Sequence, residues 1–500
     1  MPLPDQLKTI VVVMMENRSF DHVLGYLALP QFGGRNDIEG LQNYETDPAF
    51  ANLYDHQVYR PFSATDGPLP SDLPHARHEV TTQLAFRGKR ATMSGFVQAY
   101  VELTKSIVQN PPVLGYMTPS DVFMSNFFAR NFLVCDHWFA PLPADTQPNR
   151  AVALTGCSLI DDTKARIIPY RDLVLDWLTQ HEVTWRVYHS GLSFFLLFGL
   201  MDLVLGEKFR NIRDLPGDLA NDDTEEIPQV IFIEPEYNDS PVHFGNIPND
   251  NHPPLAIGPG EHFLRDIYAT LSTSPHWANM MLIVTYDEHG GYFDHVPPRP
   301  VKSGIPAGAQ YSDPFLTTGV RVPAMIASPF VKSGSCYSGT LDHTSILQLF
   351  AEKFAGDRRK YSEDVSIRMD QGIESVSSAL TTVQRKDVPV APATPFVVKQ
   401  LMRSTKLVLN ENQKAFTLAS HNVLSYNSTQ AMRRFPELVH FDESQVAHPP
   451  QVSAMVPQLD RMPRIAKPVR RTRLKSTGRR PAKNVRSRAR GLKKPLKKKG

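Results

Sequence analysis

The chain has 500 residues, 41% of them hydrophobic and 21% charged, which excludes a fibrous or wholly disordered protein and leaves room for a large buried core. Its net charge of +3 joins two unlike parts: residues 461–500 hold 18 Lys+Arg and no acid, leaving 36 basic against 51 acidic residues, a net −15, over residues 1–460. The three scattered cysteines, Cys135, Cys157 and Cys336, form no CxxC pair, which argues against a disulfide framework or a thiolate zinc site.

Residues 1–20 show no basic segment followed by an apolar run and a small-residue cleavage site, so no export signal is read there and a cytoplasmic location is the default expectation. The apolar run at 8–15 (KTIVVVMM) is instead rich in β-branched residues and predicts a strand buried on both faces of a parallel sheet. The greasiest interior stretch, 193–206 (SFFLLFGLMDLVLG), falls short of the roughly 20 residues of a membrane helix, and Asp202 interrupts it. Further strands are predicted at 229–233 (QVIFI), 280–286 (MMLIVTY) and 322–327 (VPAMIA), and helices at 261–272 and 344–354. Asp342 or Thr344 is placed to cap the second of these helices.

Strands alternating with helices predict an α/β domain with a largely parallel sheet. We assign residues 1–370 to it, 371–442 to an extension packed on it, and 443–500 to a disordered linker and basic tail. Within the extension, 394–409 reads as a strand and 411–420 and 428–437 as short helices.

In open α/β sheets, ligand chemistry collects at the carboxyl ends of the strands. Glu16-Asn17 directly follow the first predicted strand and Asp287-Glu288 directly follow the 280–286 strand, so two oxygen-donor pairs fall on one sheet edge. Such donors suit a hard divalent cation. Adjacent buried carboxylates call for a cation or an Arg/Lys, and Gly290-Gly291 permits a sharp turn close to a ligand. A polar helix-capping turn explains Glu16-Asn17 equally well on spacing alone. Thr146, in the proline-constrained turn ADTQPNR beside Asn149 and Arg150, reads as a helix cap or, with a metal or base beside it, as a nucleophile. His75 (DLPH) and His252 (NDNHPP) sit in proline-bounded loops, where an ordinary loop histidine is the alternative.

Three segments, 15–25 (MENRSFDHVLG), 146–150 (TQPNR) and 287–296 (DEHGGYFDHV), resemble the bacterial and plant non-specific phospholipase C family, over roughly residues 8–354 and in the family's order. That family includes certain acid phosphatases and belongs to the alkaline-phosphatase-like superfamily. The resemblance implies a three-layer α/β sandwich and one or more divalent ions (Ca, Mg, Mn, Fe or Zn) held by Glu16, Asn17, Asp287 and Glu288. It implies Thr146 as nucleophile, Asn149 and Arg150 as substrate-binding residues, and His75, His252 and His189 as phosphate-binding or proton-donating histidines, with His78 competing for the place of His75. The implied activity is hydrolysis of glycerophospholipids to diacylglycerol and a phosphorylated head group through a phosphothreonine. No room is seen for the additional C-terminal β-domains of larger haemolytic members, and secretion, usual in the family, stays open. The alternative is a phosphatase or phosphodiesterase acting on soluble phosphoesters. From another class comes a protein that works through its basic tail, bound to an anionic membrane or nucleic acid by counterion release.

Overall fold

The computed structural model describes residues 3–220, 227–243, 247–302, 304–394 and 409–441. The readings of a strand at 394–409, for all but its ends, and of a disordered linker and basic tail at 443–500 lie outside them. The described residues all belong to one compact unit, Met1–Met455.

The apolar runs become the centre of an eight-stranded sheet. Its strands are β1 (Thr9–Met15), β2 (Leu133–Cys135), β3 (Trp185–His189), β4 (Phe209–Asn211), β5 (Val230–Glu234), β6 (Met280–Tyr286), β7 (Ala324–Ala327) and β8 (Ser335–Tyr337), in the order β8-β2-β7-β6-β1-β5-β3-β4. Strands β6, β1, β5, β3 and β4 run parallel. The sheet departs from the parallel rule at β7, which is antiparallel to both β6 and β2. All seven residues of β6 are buried. Successive side chains of a strand point to opposite faces, so both faces of the sheet are covered and the domain has three layers.

The covering helices used below are α1 (Arg77–Leu84), α2 (Phe123–Asn131), α3 (Thr146–Thr155), α4 (Gly258–Thr273), α5 (Thr344–Ala355) and α6 (Glu411–Arg434). Helix α2 packs on α4, where Phe128 and Tyr268 meet edge to face at 5.7 Å. Helix α5 packs on α3 and places Phe350 against Phe232 of β5 at 6.2 Å. The Asp342 carboxylate accepts the Thr344 N–H at 2.7 Å at the start of α5, as the capping signal predicts. The two short helices expected at 411–420 and 428–437 are the two parts of α6, which a kink at Asn427 (φ −157°, ψ 87°) divides; the first is longer than expected and the second ends at Arg434. Capping by Asn410 and Gln413 starts α6 where the sequence pattern places a helix start. The 193–206 stretch is split into a buried 3-10 turn, Phe194–Phe198, and a short helix, Met201–Leu205. Among the described residues no helix is long and apolar enough to cross a membrane.

Register is what builds a site from this sheet. Met15 of β1 pairs with Tyr286 of β6, so the next residues, Glu16 and Asp287, leave adjacent strands at the same level. Glu234 closes β5 and His189 closes β3 on the same edge, where they pair with each other.

Candidate functional site

Glu16 and Asp287 are fully buried, and Arg150 lies between them. Its Nε is 3.0 Å from Asp287 Oδ2, and its Nη2 is 3.0 Å from Glu16 Oε1. The Glu16 contact is one of charge without hydrogen-bond alignment, since neither Glu16 oxygen accepts a hydrogen bond. Phe194 and Tyr237 flank the guanidinium, with ring centroids 5.0 and 5.1 Å from it, and the Tyr237 hydroxyl accepts from Arg150 Nη1 at 3.2 Å. Burial, followed by the charges of Asp287 and Asp250, pushes the Glu16 carboxyl well above its ordinary range in spite of Arg150. Burial likewise pushes Asp287 up to about 6.

Asn17 takes a left-handed conformation, φ 60°, which asparagine adopts more readily than most residues. That turn aims its N–H at Asp287 Oδ1 (3.1 Å), while its side-chain amide has no partner. The double glycine has a steric reason. A Cβ on Gly290 would stand 2.1 Å from the Asn17 carbonyl oxygen, and one on Gly291 would stand 2.5 Å from that of Pro74. These two close approaches draw the Asp287-Glu288 turn, the Asn17 turn and the His75 loop together. Glu288 Oε2 accepts the Gly290 N–H at 2.8 Å and lies 3.1 Å from His289 Nδ1, and Oε1 is left unpartnered. Although burial opposes it, the charge of His75 and the His289 contact hold the Glu288 carboxyl below its usual range.

Thr146 is the first residue of α3 and 2% exposed. Residues four apart share a helix face, so Thr146 lies on the face from which Arg150 reaches Glu16 and Asp287. Asn149 is committed elsewhere: its amide donates to the carbonyls of Ala144 (2.8 Å) and Asp145 (3.0 Å), and its oxygen accepts the Leu142 N–H at 2.9 Å. It holds the loop that precedes Thr146.

His252 is 2% exposed, with Nε2 at 3.8 Å from Asp239 Oδ2 and 4.0 Å from Glu16 Oε2. Its ring centroid is 6.1 Å from that of His75. Burial opposes protonation of both imidazoles. The carboxylates overcome it, Asp72 and Glu288 raising His75 to about 9 and Asp72 and Asp239 raising His252 well above its ordinary value. The competing His78 is exposed on α1. His189 stands apart: its Nδ1 contacts the Gly191 carbonyl at 2.7 Å, its ring is 5.0 Å from Phe435, and burial pulls its pKa down to about 4. An imidazole neutral at pH 7 in those surroundings has no proton to give as an acid.

Seven carboxyl groups (Glu16, Asp72, Asp145, Asp239, Asp250, Asp287, Glu288) thus surround Arg150, His75, His252 and His289. Acid outweighs base even with every histidine charged. Glu16 Oε1 and Oε2, Asn17 Oδ1, Glu288 Oε1 and Asp145 Oδ1 are buried without hydrogen-bond partners. An excess of buried carboxylate with orphaned oxygens is what a hard divalent ion would offset. Two groups here bring three ligand atoms close enough to share an ion, Glu16–Asp239–His252 and Asp72–His75–His252. The expected set of Glu16, Asn17, Asp287 and Glu288 shares Glu16 with the first of these groups. Asp287 is already engaged by Arg150 and by the N–H groups of Asn17 and Glu288, while Asp239 and His252 stand beside Glu16.

The same two motifs form a second cluster, Asp21–Asp294–His295. There Arg321 fills the centre, with Nε 2.9 Å from Asp294 Oδ1 and Nη2 3.2 Å from Asp21 Oδ1. His295 Nδ1 lies 2.6 Å from Asp21 Oδ2. This cluster is a staple between the 16–22 and 287–295 segments.

The sequence of residues 7–355 matches the phosphoesterase family. This chain belongs to that family. Similar proteins include non-specific phospholipase C1 of Arabidopsis thaliana, 32% identical over 348 residues that make up 66% of this chain and 62% of that protein. Phospholipase C A of Mycobacterium tuberculosis (strain H37Rv) is 27% identical over 403 residues, 71% of this chain and 74% of that one. The hemolytic phospholipase C of Pseudomonas aeruginosa is 25% identical over 406 residues, 69% of this chain and 52% of that one. The chain spans 62% and 64% of the lengths of non-specific phospholipases C1 and C3 of A. thaliana. Among solved structures, a protein in the alkaline phosphatase superfamily from Vibrio parahaemolyticus aligns at 10% identity and a TM-score of 0.32, over 86% of this chain and 90% of that one.

Within this phosphoesterase domain, Asp72, Asp145, Asp239, Asp250, Glu234 and Tyr237 are site residues that the motifs alone did not single out. Three had a signal: Asp72, Asp145 and Asp250 lie within three residues of His75, Thr146 and His252. Glu234 directly follows the 229–233 run as Glu16 and Asp287 follow theirs, and Asp239 lies in the loop six residues past that run. The strand-end rule, applied to a third strand, reaches Glu234.

Proposed function

We propose that the chain hydrolyses phosphoric esters in the manner of a phospholipase C, cleaving glycerophospholipids to diacylglycerol and a phosphorylated head group through a phosphothreonine on Thr146. The observation that carries the reading is the placement of Thr146, at the start of a helix whose next turn holds Arg150 between Glu16 and Asp287, beside a carboxylate–histidine cluster with orphaned oxygens. The names of its relatives supply the substrate class.

In this reading the Thr146 hydroxyl attacks phosphorus and gives its proton to a carboxylate of the surrounding cluster, the bond to the diacylglycerol oxygen breaks, and a protonated histidine hands that oxygen its proton. His75 suits that task, because Asp72 and Glu288 raise it to about 9, and the carboxylates around His252 favour its protonated form as well. Water then cleaves the phosphothreonine with the proton flow reversed. Glu16, Asn17, Glu288 and Asp239 would offer oxygen donors for a divalent ion, whose chemistry would be to acidify the Thr146 hydroxyl and offset phosphate charge. Turnover of phosphatidylcholine against a soluble phosphomonoester, with metal analysis of the purified protein, tests the assignment. Faster release of diacylglycerol is expected; a preference of orders of magnitude for the monoester would move the enzyme to soluble phosphoesters.

A further inference from the structure

The site described above is not closed by the family-matched residues alone. Asp239 is fully buried, and among the described residues the hydrogen bonds to its carboxylate come from two side-chain amides of the C-terminal extension. Asn410 Nδ2 donates to Oδ1 at 3.1 Å and Asn412 Nδ2 to Oδ2 at 2.8 Å. Oδ2 is also the oxygen that stands 3.8 Å from His252 Nε2. Asn412, 5% exposed, turns its own oxygen toward Gln147 Nε2 at 3.4 Å. Gln147 is clasped by the backbone of Lys164 (3.0 and 3.2 Å), its N–H donates to Thr163 Oγ1 at 3.1 Å, and the Thr163 N–H donates to Asp145 Oδ2 at 3.1 Å. One chain of hydrogen bonds therefore runs from Asp239 through Asn412 to both sequence neighbours of Thr146.

A second contact from the same helix reaches the site independently. Phe416, fully buried, lies tilted against Tyr237 at 5.4 Å and meets Phe194 edge to face at 6.2 Å. These are the two rings that flank the Arg150 guanidinium. Asn412 and Phe416 are four apart, so one face of α6 faces the site.

We propose that Asn412 is a positioning residue: it fixes the distance between the Asp239–His252 side of the site and the Thr146 turn, and makes α6, outside the 7–355 family match, a working wall of the phosphoesterase site. A neutral amide suits the place. It donates to a carboxylate and accepts from an amide at once, which neither a carboxylate nor a lysine does. The inference rests on the reading of Thr146 as nucleophile.

The test uses the full chain and compares Asn412→Ala, the exchanged pair Asn412→Asp/Asp239→Asn, and Tyr426→Phe as a control on the exposed far part of α6. The substrates are a soluble phosphodiester and phosphatidylcholine vesicles. Misplacing a reacting group by about 1 Å costs on the order of 100-fold, so Asn412→Ala is expected to lose ten- to hundredfold in kcat with KM within about threefold. The exchanged pair keeps the hydrogen bond while moving the charge; it is expected to recover the thermal midpoint of wild type but not its kcat. Tyr426→Phe is expected to match wild type. Wild-type kcat in Asn412→Ala would overturn the inference while leaving the phosphoesterase reading standing. Hydrolysis of neither substrate by the wild-type chain would remove that reading and the inference with it.

Discussion

The two halves of each long motif end in clusters of opposite character. The leading residues, Glu16-Asn17 and Asp287-Glu288, gather buried oxygens, of which both of Glu16, Asn17 Oδ1 and Glu288 Oε1 accept no hydrogen bond. The trailing residues, Asp21 and Asp294-His295, gather the same residue types around Arg321, which bonds both aspartates. Residue type alone does not separate site from staple. What separates them is whether the protein supplies the balancing charge itself. Arg150 pairs with two carboxylates where seven converge; Arg321, with His295 beside it, pairs with both carboxylates of its own cluster.

This contrast is open to attack by substitution. Thr146→Ala removes the proposed nucleophile; turnover is expected to fall about 10⁴-fold or more, as with other nucleophile deletions. Its denaturation midpoint should stay near that of wild type, and an active variant would remove Thr146 from the chemistry. Arg321→Met strands Asp21 and Asp294 in the interior. Breaking a buried ion pair costs about 3–5 kcal/mol, read as a lower urea midpoint at pH 7; an unchanged midpoint would mean that the staple bears no stress. Glu16→Gln should do the reverse of Arg321→Met. Removing a carboxylate from an acid-rich pocket is expected to leave stability unchanged or raise it by about 0.5–2 kcal/mol while lowering turnover and bound divalent metal together. Loss of stability on that change would show that Glu16 is a structural partner of Arg150.

The smallest effect is expected at His189. Burial holds its pKa near 4 in the fold, below the roughly 6.5 of an unfolded histidine. The unfolded chain therefore binds more protons between these values, so this contribution to stability is present above pH 6.5 and is lost as pH falls toward 4. His189→Leu should flatten that acid limb in urea titrations at pH 5 and 7. It should cost little turnover at neutral pH; a large loss would return His189 to the chemistry.

Much of the architecture was legible because it depends on local pattern. Unbroken apolar runs at 8–15 and 280–286 made the central parallel pair, and the strand-end rule placed Glu16 and Asp287 together before any coordinates. The antiparallel β7 was not legible, since an apolar run of four residues carries no direction. Nor was the release of His189 from the cluster: it lies on the correct edge, but β5 separates it from β1. The extension showed helical patterns at 411–420 and 428–437 but nothing to say that Asn412 and Phe416 would meet Asp239 and Tyr237, because such contacts have no sequence periodicity.

By itself, then, the sequence determined the α/β class, the strand edge that bears the chemistry and the family to which the motifs belong. Each follows from period-two burial, from donor-rich residues directly after strands, or from motif length. Only the tertiary structure decided which acids are balanced and which are left open, that Asn149 holds a loop, and that α6 completes the wall around Arg150. Charge balance and enclosure are sums over residues hundreds of positions apart, and only the folded chain performs them.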